Sequence, residues 1–356
     1  MKHQFIFSLF LTLQLLFNIS VKAQSTKDLA IQKKEEAIQL EDSGDYIKAF
    51  KLLTEAKKLY PGNIIILYEL SCWYYDQKQY KNAITTLDSL KKDDDCFDKV
   101  YQLLGNSYDR LKNKKVAEAI YNEGLKRYPE SGCLNLEKGI MLNNEGDVEA
   151  IQYFEKGIEV EPNFPSNYYW ASKFFCRSDE ALWGMFYGEI FINLEPHSKR
   201  TVEISKLLFE TYKSQLLFNS SGNITMSFST RVVNPIKEFN KSSLATVYEP
   251  AFKYAVKDEN EINLNTLNKI KQLFLEYYST RGLDRSYPNV LLDYQVQIEK
   301  SGNIEAYNYS VFKNADVITF NNWLSNNPKK WELFTKWIAS NPLKIDYRKK
   351  FNRSQF

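Results

Sequence analysis

The chain has 356 residues, with 47 basic and 44 acidic side chains and two histidines, for a formal net charge of +3. So even a balance leaves no electrostatic footprint for nucleic acid. The histidines are His3 and His197, and a chain that loses the first holds no zinc site built on two or three imidazoles.

Residues 1–23 have the form of a secretory signal peptide. Met1-Lys2-His3 is followed by an apolar run from Phe5 to Ile19 and then by Val21-Lys22-Ala23-Gln24, with the small residue Ala23 at the expected cleavage position. The run is short for a membrane span, and no cysteine near Ala23 would accept a lipid. The expectation is an exported, soluble protein, periplasmic or secreted, with no integral span once the signal is cleaved. Cleavage removes Lys2 and Lys22 and no acid, which takes the net charge from +3 to +1.

Pro61, Asp95, Pro129, Pro162 and Pro196 follow one another at intervals of 34, 34, 33 and 34 residues. A fixed period in the thirties means stacked supersecondary units, none able to bury its apolar face alone. One unit reads Tyr101, Leu104, Gly105, Tyr108, Ala117, Tyr121, Pro129. The unit before it reads Leu67, Leu70, Ser71, Tyr74, Ala83, Leu87, with Asp95 in place of proline.

From Ala30 to about Ser198 this pattern resembles the tetratricopeptide repeat family. The resemblance implies about five units of two antiparallel helices, in which Gly105 or Ser71 on the first helix faces Ala117 or Ala83 on the second. Gly44-Asp45 and Gly146-Asp147 break hairpins, the glycine ending one helix and the aspartate starting the next. The first unit carries Lys33 and Glu36 where large residues usually stand, as an end unit with a wet face would. The fourth, with Gly139, Ala150 and Phe154, is one residue short between its helices. The fifth is the loosest: its Gly184 and Gly188 cost roughly 1 kcal/mol each against alanine in a helix, so either a close approach compensates them or the unit is irregular.

The four cysteines, Cys72, Cys96, Cys133 and Cys176, lie in different units or joints. Repeat spacing of about 10 Å exceeds what a disulfide tolerates, so four unpaired and mostly buried thiols are expected.

After Pro196 a helical stripe of Val202, Ile204, Leu207, Leu208, Tyr212 and Leu216 is placed to cap the last repeat. Asn219-Ser220-Ser221-Gly222-Asn223 signals a loop, and residues 224–229 alternate as a short extended segment does. Helices then return at about 242–256, 263–280 and 288–300, with shorter ones to about 340. The expected fold is all-α: tetratricopeptide-like helical hairpins over 24–218, a linker or short extended segment over 219–241, and a second, mostly helical region over 242–356. Within the latter, Phe320 and Trp323 before Asn327-Pro328 are answered fourteen residues later by Phe334 and Trp337 before Asn341-Pro342. These aromatics fit either packing on the domain core or a sugar-stacking platform. The last nine residues hold Arg348, Lys349, Lys350 and Arg353 without an acid and read as a short solvated tail.

Chemistry is sparse. His197 is a lone imidazole in an inter-helix turn without a G-x-S-x-G partner motif. Ser310-Val-Phe-Lys313 matches S-x-x-K but lacks the companion motifs of penicillin-binding enzymes. No metal or cofactor motif is present, and no enzyme is expected. What remains is the concave side of the repeat stack. Extending the register assigns to it Tyr68, Tyr75 and Asp76, then Gln102, Asn106, Asp109 and Arg110, then Asn143 and Asn144, then Tyr169, Lys173 and Arg177. Aromatics, amides and paired charges suit a peptide groove. The expectation is a non-catalytic scaffold holding a protein or peptide, with a glycan-binding accessory role for the later aromatics as the alternative.

Overall fold

The structure is a computed structural model that describes residues 25–218, 224–226, 228, 244–346, 348–349 and 351–355. The expected signal peptide and most of the expected linker lie outside the described residues. Compactness divides the chain within one helix, after Glu137, into two units.

The first unit contains α1 (residues 25–42), α2 (Tyr46–Leu59), α3 (Ile64–Asp76), α4 (Tyr80–Leu90), α5 (Asp98–Arg110), α6 (Lys114–Arg127) and the start of α7 (Gly132–Asn144). Consecutive helices pack against one another as hairpins, and α3 also reaches α5. The turn inside each of the first four hairpins is the same device. Residues 44, 78, 112 and 146 all have positive φ (+88°, 58°, 62° and +78°), although only the first and last are glycine. In every case the next amide bonds back five residues, from Asp45 to Leu40, Gln79 to Tyr74, Asn113 to Tyr108 and Asp147 to Leu142, at 2.8 to 3.0 Å. This is the left-handed helix-ending motif that satisfies the last carbonyls of a helix. Asp45 then caps α2 by accepting from the Lys48 amide at 3.2 Å. All the prolines of the repeat fall in the joints between one hairpin and the next, as does Asp95.

Small residues allow the helices to close. A methyl group at Gly105 would first overlap the Tyr121 ring. The aromatic one turn beyond the alanine leans over the glycine, because a helical side chain covers the turn before its own Cα.

The second unit holds the rest of α7, α8 (Ala150–Val160), α9 (Pro165–Phe175), α10 (Ala181–Leu194) and α11 (Lys199–Gln215), followed by α12 (Leu244–Val256), α13 (Leu264–Thr280), α14 (Leu283–Ser286), α15 (Val290–Lys300), α16 (Ile304–Phe312), α17 (Val317–Asn326) and α18 (Pro328–Ser340). Helices α8 to α11 stack in sequence. The later helices pack on them, α15 on α10 and α16 on α11, so both groups share one core. In the fifth hairpin the glycines mark close approach: a side chain at Gly184 would strike the Cys176 backbone, and one at Gly188 would strike Ser172 and Leu208. Ser172 Oγ seals the contact by donating to the Gly184 carbonyl at 2.8 Å.

Three expectations need correction. Leu216 does not continue α11 but begins β1 (Leu216–Phe218), which pairs antiparallel with β2 (Ile224–Met226), Leu216 opposite Met226. Cys176 is not within a first helix but follows the end of α9. The described residues among the last nine are not simply a solvated tail: Arg348 is exposed, yet Lys349 pairs with Asp293 at 3.0 Å, and Phe351 and Asn352 are each only 2% exposed. None of the four cysteines is in a disulfide, and burial lifts Cys72 to about 12 and Cys176 to about 11, so both stay protonated.

The repeated aromatics at the end of the chain are packing residues. Trp323 stacks on Tyr309 with centroids 4.5 Å apart and donates Nε1–H to Glu305 at 2.8 Å. Phe334 is buried among Trp331 and Tyr307, while Trp337 leans on Tyr294. Asn327 ends α17, and Pro328 starts α18 at the position where its missing N–H costs nothing.

Candidate partner-binding faces on the first helices

In the first unit, the register that places Tyr75 on α3 and Arg110 on α5 brings them into contact, the guanidinium Nε donating to the Tyr75 hydroxyl at 3.0 Å. Gln102 and Asn106, one turn apart on α5, both donate to Glu137 Oε1 near the middle of α7, at 2.7 and 3.2 Å. The Asn106 carbonyl oxygen takes the Tyr121 hydroxyl. Tyr68 is half-buried, with its ring edge-on to Phe97 at 5.0 Å. Asp109 is exposed in the last turn of α5.

Of these candidates, Tyr75 and Arg110 are thus joined to each other, and Gln102 and Asn106 to a shared acceptor, across spans of 31 to 35 residues. Glu137, absent from the candidates, is the acceptor at the centre. Burial pushes its carboxyl above the usual range even though two amides donate to it. Acids accumulate on this unit's first helices. Burial, and then repulsion from Asp76, Glu69 and Asp42, lifts Glu41 to about 7. Burial also raises Glu69 and Asp76. Glu41 Oε1 is buried without a hydrogen-bond partner among the described residues.

In the second unit, Tyr169 donates its hydroxyl proton to Glu203 on α11 at 2.5 Å and accepts from Lys173 Nζ at 3.1 Å. Lys173 completes the triangle with Glu203 at 2.7 Å and lies 5.0 Å from the Trp170 ring centroid. Arg200 stacks over Tyr169 at 5.1 Å. Arg177 is exposed just beyond α9. Asn143 and Asn144 sit where α7 runs into its turn, the Asn143 carbonyl accepting from Gly146 at 3.1 Å. Sequence reasoning missed Glu137, Glu203 and Arg200. Their signal was available in the period, because each lies 34 or 35 residues from a partner or from its equivalent, as Glu137 does from Gln102 and Glu203 from Tyr169.

His197 is exposed in the turn before α11, and Ser310 is half-buried near the end of α16. Among the described residues no group of three or more metal-ligating side chains converges on one point, and no helix is long and apolar enough to cross a membrane.

Residues 66–94 and 98–131, the hairpins α3/α4 and α5/α6, each match a tetratricopeptide repeat family model. The chain carries tetratricopeptide repeats. Repeats of this family build protein-interaction scaffolds. Among solved structures, the chain is similar to the thermophilic tetratricopeptide protein TTC0263 of Thermus thermophilus, at 17% identity over 50% of this chain and 98% of that one, with a TM-score of 0.44. It is also similar to YrrB, described as having an unusual peptide-binding site, at 18% identity over 52% and 97% with a TM-score of 0.34. A third is MamA from Desulfovibrio magneticus, at 17% identity over 48% and 98% with a TM-score of 0.36. No curated protein matches the chain.

Proposed function

We propose that this tetratricopeptide protein is an exported, non-catalytic scaffold whose first-helix faces hold a polypeptide segment rich in basic side chains. The observation that carries the reading is the strip on the first unit where Arg110 meets Tyr75 and where Gln102 and Asn106 meet the carboxylate of Glu137, with Glu69 and Asp76 on the same helix as Tyr75 and Glu41 on α1. Carboxylates whose charge is opposed by burial and by one another are relieved by an incoming cation. Tyrosines and amides supply contact area and main-chain hydrogen bonds. Export is supported by the form of residues 1–23 and places the partner in the periplasm or outside the cell.

The test is binding of the mature chain to a fluorescent lysine- and arginine-containing peptide pool, against an acidic pool of matched length. The basic pool is expected to bind, with affinity falling as salt screens the face, and Glu69→Gln with Asp76→Asn is expected to weaken it about tenfold. Equal binding of both pools, or indifference to the double change, removes the face from the account. The alternative of a sugar platform on Trp323 and Trp337 has lost its main residue, since Trp323 is 8% exposed and covered by Tyr309.

A further inference from the structure

Within the second unit, residues 351–355 occupy a cleft made by α8, α9 and α10. Arg353 Nε and Nη2 grip Glu155 at 3.0 and 2.8 Å, and Nη1 reaches Glu180 at 2.8 Å. The guanidinium lies over the Phe175 ring, 5.0 Å from its centroid. The main chain is read as well, because the Arg353 amide donates to the Tyr187 hydroxyl at 2.9 Å, and that hydroxyl donates in turn to Glu155 at 2.9 Å. Two residues earlier Phe351 is buried, and its amide is held by Gln355 Oε1 at 2.7 Å.

Two carboxylates, each 13% exposed, converge on a single cation. Emptied of that guanidinium, the cleft would leave a poorly hydrated negative charge at Glu155 and demand a replacement. Its shape specifies which one: a two-pronged contact on Glu155, a third prong on Glu180 and a flat aromatic floor suit a planar guanidinium and not a compact ammonium. The hydroxyl that accepts a backbone amide requires that the guanidinium arrive on a peptide.

We propose that this cleft is a recognition site for an arginine-bearing peptide of the form aromatic-x-Arg, occupied in the free protein by Phe351–Arg353, and that a partner polypeptide displaces this built-in segment. The proposal extends the reading of the chain as a polypeptide scaffold to a different face, so its failure leaves the first-helix faces untouched. A tethered ligand competes at an effective concentration of about a millimolar, which is why a partner in trans binds measurably only when the resident arginine is removed or the partner is in large excess.

The experiment uses the full mature chain, as wild type and Arg353→Ala, and a fluorescent peptide with the sequence of residues 348–356, with and without alanine at the 353 position. Arg353→Ala is expected to bind the arginine peptide about tenfold more tightly than it binds the alanine peptide, and about tenfold more tightly than wild type binds either. A folded Arg353→Ala that binds neither peptide, or both equally, overturns the proposal. Should Arg353→Ala fail to fold, hydrogen exchange of wild type decides: excess arginine peptide is expected to speed exchange at residues 351–355, and unchanged exchange overturns the proposal. Concentration-dependent dimerisation of Arg353→Ala when mixed with wild type would assign the occupant to a second copy and overturn the assignment to a partner.

Discussion

Lys78 and Lys112 stand in the left-handed turn position that glycine fills at 44 and 146. A side chain there meets its own carbonyl, a strain of about 1–2 kcal/mol that glycine avoids, while glycine adds unfolded-state freedom that offsets part of the gain. Lys78→Gly and Lys112→Gly are each expected to stabilise the first unit by about 0.5–1 kcal/mol, seen as a higher urea midpoint; an unchanged or lower midpoint would contradict the assigned turn. The period of these turns was present in the chain as Gly44 and Gly146, but two lysines between them hid it, because residue type reports backbone conformation only where glycine is used. A second residue-scale consequence concerns Glu41. Its carboxyl is raised to about 7 by burial and neighbouring acids, so between the ordinary carboxylate range and about 7 the folded state binds more protons than the unfolded, and this group's contribution to stability falls as pH rises. Glu41→Gln is therefore expected to be more stable than wild type at pH 8, with the advantage vanishing near pH 5. Urea melts at the two pH values check it, and a pH-independent difference would refute the shift.

At the scale of the helical hairpin, packing is set by pairs the repeat pattern locates only approximately. The small and aromatic positions were legible because they recur every 34 residues. That Gly105 lies under Tyr121 was not, since it depends on side-chain direction and not on spacing. Gly105→Ala forces a methyl into that ring and is expected to cost about 1–3 kcal/mol; adding Tyr121→Leu should return part of the loss in a double-mutant cycle, and strict additivity would show the two sites do not touch. The ladder between neighbouring first helices separates structural residues from binding ones in the same way. Asn106→Ala strips a bond from Tyr121 and one from Glu137 and is expected to cost about 1–3 kcal/mol of stability. Arg110→Ala, at an exposed site, should stay within about 0.5 kcal/mol and so is the cleaner probe of partner binding. Equal thermal midpoints for the two variants would mean the Glu137 hub contributes nothing.

At the scale of the molecule, each unit is legible in inverse proportion to the sequence distance its contacts span. The first unit is built from neighbours one period apart, and its expected joints and turns fall in place. The second is closed by contacts with no period, such as Arg353 with Glu155 and Lys271 with Glu189. One clue was available: Glu189 is the only charge in the fourteen residues of α10, and a lone acid in a buried helix must have a partner. That partner is Lys271 on α13 at 2.8 Å, with Gln295 of α15 donating to the other oxygen at 2.5 Å. Both ions are under 10% exposed, so their attraction in a poorly polarisable interior is offset by the loss of hydration, and what holds them is mutual dependence. Lys271→Met leaves Glu189 charged and unpaired and is expected to cost about 3–5 kcal/mol. Changing Glu189 to Leu as well removes the stranded charge, so the double variant should be more stable than Lys271→Met alone. Because the pair ties α10 to α13 inside one core, the loss should lower a single transition seen alike by tryptophan fluorescence and far-ultraviolet dichroism. A double variant no better than Lys271→Met, or a split transition in the second unit, would show that the pair does not bind the repeat helices to those that follow.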